Sequence, residues 1–221
     1  MKILSKKLKI RRGRNALQPG GVVLYCPYMK TVVLASSNKG KIKEIKQMLG
    51  EKINVLSAAE AGFEGDVEET GASFYENALI KARAVYAAAA LPVIADDGGL
   101  EVDFLGGAPG VFSARYAGEH GNDARNRALL LKNMQSADTR TARFKCCLVY
   151  YDGVNIVSAE GATEGEILRE ERGEKGFGYD SVFYSYDLEK SFGEAGDDEK
   201  NSVSHRGRAL RLLKEKLGWN G

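Results

Sequence analysis

The chain sets two carboxylates side by side, Asp96-Asp97, after the short apolar run Pro92–Ala95 and ahead of Gly98-Gly99. Adjacent acids repel, so a strand end carries both only where a cation or a turn role offsets them. Carboxylates that share a Mg²⁺ with phosphate oxygens make one such arrangement, and an added carboxylate can orient an attacking water. An Asp-Gly turn explains one acid easily and the pair less well. Glu68-Glu69-Thr70-Gly71 offers more carboxylate, although alone it reads as a polar loop.

Donors for a phosphate are available in Ser36-Ser37-Asn38-Lys39-Gly40-Lys41. This stretch joins a buried strand to a helix, where free backbone N–H groups and the positive helix end favour an anion. It is not a P-loop, because Ala35 and Ile42 occupy the places of the first glycine and of the Ser/Thr after the lysine. A capped helix with a solvated lysine face is the plainer alternative. Further along, Ser73, Asn77 and Lys81 share one helix face at i, i+4, i+8, away from the apolar stripe. Asn77 and Lys81 are candidates to reach a phosphate or the carboxylates, with solvent exposure as the alternative.

Phe177-Gly178-Tyr179-Asp180 sets two aromatics and an acid behind a glycine-rich loop, suited to stacking on a flat ring or to packing in the core. Ser204-His205-Arg206 opens the last helix. The positive helix end disfavours a charged His205, so a neutral imidazole is expected. With Lys200, His205 and Arg206 offer donors to a keto edge or a phosphate, though surface capping accounts for them equally.

The elements that must position these residues follow from periodicity. Thr31–Ala35 is a continuous β-branched run, as in a strand buried on both faces. After Asn38 the spacing turns helical, with Ile42, Ile45, Met48 and Leu49 on one side, ending at Gly50. Ile53–Leu56 reads as a second strand. Ser73 to Glu76 has capping-box spacing and opens a helix to about Ala90, with the stripe Phe74, Ala78, Ala82, Val85 and Ala89. Pro92–Ala95 is a third strand, so this half alternates strand and helix as an α/β sheet does. Gly106–Gly118 reads as a glycine-punctuated loop and Asn122–Gln135 as a helix. Ala142–Tyr151, Val154–Ala159 and Gly165–Arg169 read as three strands of an antiparallel meander. A final helix from Ser204 carries Leu210, Leu212, Leu213 and Leu217.

Composition narrows the classes. No apolar run approaches the roughly 20 residues that span a bilayer, so no membrane association is expected. The net charge of +2 hides an asymmetry, because residues 1–28 carry 7 basic side chains and no acid. Removing those 7 from 32 leaves 25 bases against 30 acids, a body near −5, which argues against a general nucleic-acid binder. The basic head reads as a disordered extension or an upstream start, because Met29-Lys30-Thr31 leads directly into a strand; a membrane-surface or RNA-binding tail is the alternative. Residues 29–221 then form a single domain. Three cysteines without zinc-type spacing read as reduced and cytoplasmic.

In order, SSNKGKIKEI, SFYENALIKA, IADDGGLEVDFLGGAPGVFSARYAG, GFGYDSVF and KNSVSHRGRAL closely resemble the Ham1/inosine triphosphatase family of non-standard purine NTP pyrophosphatases, over about residues 30–217. The resemblance implies an α/β fold with a long mixed β-sheet flanked by helices in two lobes around a central substrate cleft, usually as a homodimer. It implies Mg²⁺ as cofactor and a purine nucleoside triphosphate (ITP, dITP or XTP) cut to the monophosphate and pyrophosphate. Ser36 to Lys41 would hold the triphosphate, with Lys41 offsetting charge on the leaving pyrophosphate. Asp97 would act as general base and metal ligand beside Asp96, helped by Glu69 or Glu68. Phe177 to Asp180 would shape the base site, Lys200 would meet phosphate, and His205 with Arg206 would read the purine edge.

Two departures stand out. The family commonly has serine where this chain has Gly98, which removes a substrate hydrogen bond. Ser181 stands where proline usually follows, which is expected to loosen that loop. A catalytically inactive nucleotide-binding regulator and an RNA-associated protein led by the basic head are the competing readings.

Overall fold

The computed structural model describes residues 30–219, so the basic head expected over residues 1–28 lies outside the described residues. Seven strands form one sheet in the order β2-β1-β3-β4-β5-β6-β7. Strand β1 (Lys30–Ala35) pairs in parallel with β2 (Ile53–Ser57) and β3 (Val93–Val102). The remaining neighbours are antiparallel, through β4 (Thr141–Tyr151), β5 (Ile156–Ile167), β6 (Phe183–Ser185) and β7 (Lys190–Ser191).

Strand β1 shows why a continuous apolar run is needed. Alternate side chains enter different cores: Val32 and Leu34 pack with Ile45, Leu210 and Leu213, while Val33 and Ala35 pack with Ala78, Ala82 and Val85. The first core is roofed by helices α1 (Lys39–Leu49) and α5 (His205–Lys216), the second by α2 (Phe74–Ala89). A third core gathers Leu100, Val102, Leu130, Phe144, Phe183 and Phe192 under α3 (Asp123–Asn133). The long strands β3 and β4 therefore serve two lobes, with Val93–Ala95 in one and Leu100 and Val102 in the other.

Three expectations about elements need correction. The run Pro92–Ala95 does not end before the acid pair, because β3 continues to Val102 with Asp96 and Asp97 at its middle, held by pairing with β4. Val154–Ala159 and Gly165–Arg169 are one strand, β5, since its pairing with β4 runs unbroken from Tyr151↔Ile156 to Thr141↔Glu166. Its glycines mark close approach by α5 and β6 rather than a break. The last helix is preceded by a separate short helix, α4 (Asp197–Val203), and Leu212 is exposed whereas Leu210 and Leu213 are buried.

Candidate active site

Strand β1 stops where Ala35 pairs with Ala95. The next residues of β3, Asp96 and Asp97, have β4 on one side and no strand on the other, and a cavity of about 570 Å³ opens there. Ser36, Ser37, Asn38, Lys39 and Lys41 line it, as do Glu69, Lys81, Asp96, Asp97 and Gly98. Phe177, Gly178, Tyr179, Asp180, Lys200, His205 and Arg206 line it as well. Asp97 and Lys41 both line this cavity.

Because β3 continues through the acid pair, the two side chains point to opposite sheet faces. Asp96 turns toward α5 and α1, where Arg206 Nε donates to its Oδ2 at 2.8 Å and Lys41 Nζ stands 3.4 Å away. Burial alone would raise the Asp96 carboxyl, but Arg206 and Lys41 outweigh it and hold it well below the usual carboxylate range. Asp97 turns toward α2, where Lys81 Nζ donates to its Oδ1 at 2.9 Å. Here burial outweighs the lysines, with the nearby Glu69 adding to it, and the carboxyl is pushed up. Two neighbours in sequence thus hold their protons differently.

Lys81 Nζ also donates to Glu69 Oε1 and to the Asp96 carbonyl, each at 2.8 Å. Arg115 Nη1 lies 3.5 Å from the other Glu69 oxygen. On the opposite face, Arg206 Nη1 donates to Glu44 Oε2 at 2.6 Å, Glu44 Oε1 accepts from Lys200 Nζ at 2.8 Å, and Lys200 reaches Asp180. An alternating chain of buried charge, Lys41–Asp96–Arg206–Glu44–Lys200–Asp180, therefore runs from the glycine-lysine turn to the aromatic loop. Glu44 is lowered below its ordinary value: burial opposes this, and Arg206 and Lys200 prevail.

Helix α1 begins as its sequence suggested. Asn38 is the N-cap, its Oδ1 accepting from Lys41 N–H at 3.1 Å, and its own N–H donates to Ser36 Oγ. Gly40 does not line the cavity. It lets α1 rest on the Phe177 ring, because a Cβ there would lie 2.4 Å from Phe177 Cδ1. Lys200 Nζ sits 4.7 Å from the centre of the same ring. Tyr179 is anchored rather than free, its hydroxyl donating to Ser113 C=O at 2.8 Å. His205 is buried and stacked on Phe144, ring centres 4.9 Å apart. Burial, then Arg206, drives its basicity well down, so it is neutral as expected, and its Nδ1 has no partner among the described residues.

Two assignments are revised by position. Asn77 is fully buried outside the cavity, and its Oδ1 accepts from Gly71 N–H at 2.8 Å, tying the Glu69 loop to α2. Glu68 is exposed and turned away, leaving Glu69 as the inward acid of that pair. At Gly98 a Cβ would fall 2.5 Å from both Cys146 Cβ and the Lys145 carbonyl, so a serine does not fit this strand spacing. The Ser181 hydroxyl donates to Glu171 Oε2 at 2.8 Å. Sequence reasoning missed Glu44, whose only signal was being the single acid among the lysines of α1. Arg115 carried no signal of its own.

Whether a divalent cation suits this cleft turns on its oxygens. Among the described residues no group of three His, Cys, Asp or Glu side chains is placed to hold a metal alone. Asp97 Oδ2, however, is buried without a partner, and Glu69 shares Lys81 with it. That donor set fits a Mg²⁺ that completes its shell with phosphate oxygens and water.

Fold and cleft together define an α/β protein with a charge-lined, aromatic-walled cavity between two lobes of one sheet. Residues 32–216 match the model of the Ham1 family, and the chain belongs to that family. It is 47% identical over 199 residues to a dITP/XTP pyrophosphatase of Clostridium perfringens, covering 86% of this chain and 98% of that one. A dITP/XTP pyrophosphatase of Pseudomonas aeruginosa is 47% identical over 195 residues, again 86% of this chain and 98% of its own. The solved structure of a HAM1 protein from Coxiella burnetii aligns with TM-score 0.78 and 40% identity, over 86% of this chain and 100% of that chain. No helix among the described residues is long and apolar enough to cross a membrane.

Proposed function

We propose that the chain hydrolyses non-standard purine nucleoside triphosphates, ITP, dITP and XTP, to the monophosphate and pyrophosphate. The observation that carries this is the shared cavity: an Asp97 carboxyl with raised affinity for a proton lines the same cavity as the lysine-bearing turn at the start of α1. A carboxylate of that kind accepts the proton of an attacking water better than an ordinary aspartate does. Lys41 and the N-terminal end of α1 offset charge on the leaving pyrophosphate. Lys81 holds Asp97 and Glu69 at fixed separation, so neither has to reorient during reaction. Asp97 and Glu69 are the residues that would hold a Mg²⁺, which would supply further charge neutralisation on the phosphates.

At the other end, Phe177 offers a face for the purine, while Arg206 and His205 stand ready to meet a 6-keto oxygen. Adenine would leave such donors unpaired, which disfavours it by orders of magnitude. Lys200, sheathed between Glu44 and Asp180, supports the base end rather than contacting phosphate. A homodimeric, cytoplasmic enzyme whose single two-lobed domain follows a basic head completes the reading.

The test is pyrophosphate release from dITP, XTP, dGTP and dATP with and without Mg²⁺. Asp97→Asn is expected to lower kcat by at least about a hundredfold, the scale of lost acid/base help. Turnover within a few-fold of the parent in that variant would refute the role of Asp97. Tight binding of dITP without any product would favour the inactive regulator instead.

A further inference from the structure

The loop that carries Phe177 is gripped from helix α3 at both backbone polar groups of one residue, Gly178. Gly178 N–H donates to Asp123 Oδ2 at 2.7 Å, and Gly178 C=O accepts from Arg127 Nη1 at 2.9 Å. Asp123 is the first residue of α3 and Arg127 lies four residues on, so one helix face presents both. The Arg127 side chain reaches further. Its Nε lies 2.9 Å from Glu171 Oε2, and the same oxygen accepts the Ser181 hydroxyl at 2.8 Å. One guanidinium therefore meets the turn itself and Glu171, six residues ahead of Phe177, and the Glu171 oxygen it meets also takes the hydroxyl of Ser181 just after the turn.

We propose that Arg127 is a positioning residue for purine binding, fixing Phe177 through the Gly178 carbonyl with Asp123, Glu171 and Ser181 as its supports. This rests on the hydrolase reading above. Phe177 is half-buried with Gly173, Gly176 and Gly178 around it, so the backbone at this end of the turn has conformational freedom that contacts must restrain. Inside the turn, Phe177 N–H donates to Asp180 Oδ2 and Asp180 N–H donates to Phe177 C=O, which sets its local shape. Tyr179 and Asp180 anchor the far end of the turn through Ser113 and Lys200, and the α3 contacts hold the backbone at Gly178, next to Phe177. Glu171 is nearly half-exposed, so its ion pair with Arg127 is weak. The charge-assisted bond to the Gly178 carbonyl carries the effect.

Arg127→Met keeps the apolar stem and removes the donors. The expected result is a KM for dITP raised on the order of tenfold, the scale of one charge-assisted hydrogen bond, with kcat within about threefold of the parent. Inorganic tripolyphosphate, which has no base, should inhibit both proteins equally. Arg127→Lys, able to serve the Gly178 carbonyl alone, should recover part of the loss. Hydrogen exchange is expected to quicken across residues 173–181 of the Met variant while α1 and α5 are unchanged. An unaltered KM, or tripolyphosphate inhibition weakened by the same factor as dITP binding, would overturn the proposal. Should the parent release no pyrophosphate, the hydrolase reading falls and takes the kinetic claim with it. The clamp is then decided by exchange, and unquickened exchange in the loop overturns it.

Discussion

Glu44→Gln isolates the charge on the buried acid that the sequence left unremarked. Glu44 sits between two cations, Arg206 and Lys200, that are only 2% and 4% exposed. In the chain Lys41–Asp96–Arg206–Glu44–Lys200–Asp180 three positive charges alternate with three negative ones. Glutamine keeps the shape and one acceptor oxygen but leaves a surplus positive charge in a place shielded from water. Breaking a buried pair in this way costs about 3–5 kcal/mol, and the retained oxygen argues for the lower end, about 3 kcal/mol. In a domain of this size each kcal/mol moves Tm by about 2–4 °C, so a fall of roughly 6–12 °C is expected. The assay is thermal and urea unfolding at neutral pH, with Asp197→Asn as a control at the exposed pair with Lys43, where solvent screening leaves little to lose. The sign with pH is also set. The folded-state Glu44 carboxyl is lowered, so its stabilisation is present above the unfolded value near 4.5 and fades as pH falls through and below it. Parent and variant should therefore converge in acid. A Glu44→Gln loss no larger than that of Asp197→Asn would show that the buried chain does not hold the site together.

Lys81→Met removes a cation that lowers the Asp97 carboxyl while leaving burial and Glu69 to raise it. The acid limb of the kcat/KM profile should then move to higher pH, and an unmoved limb would mean that another group sets it. His205 resists protonation in the folded chain, whereas in the unfolded chain it takes up a proton as pH falls below about 6.5. Parent stability should decline over that range, and His205→Asn should flatten the decline when followed by urea unfolding.

Sequence by itself determined the local structure and the family. The β-branched run of β1, the Asn38 and Ser73 caps, the α2 stripe and the long motifs are all short-range patterns, and each appears where its spacing put it. Strand ends were less legible, because β3 and β5 continue wherever β4 offers hydrogen bonds, and that partner is far along the chain. Only the tertiary structure decided what the charges do. Asp96 and Asp97 differ in proton affinity because the sheet sends them to opposite faces with different cations. Glu44 meets Arg206 across 162 positions of sequence. Buried charges are stable only when paired, and which side chains are near enough to pair is settled by packing in three dimensions.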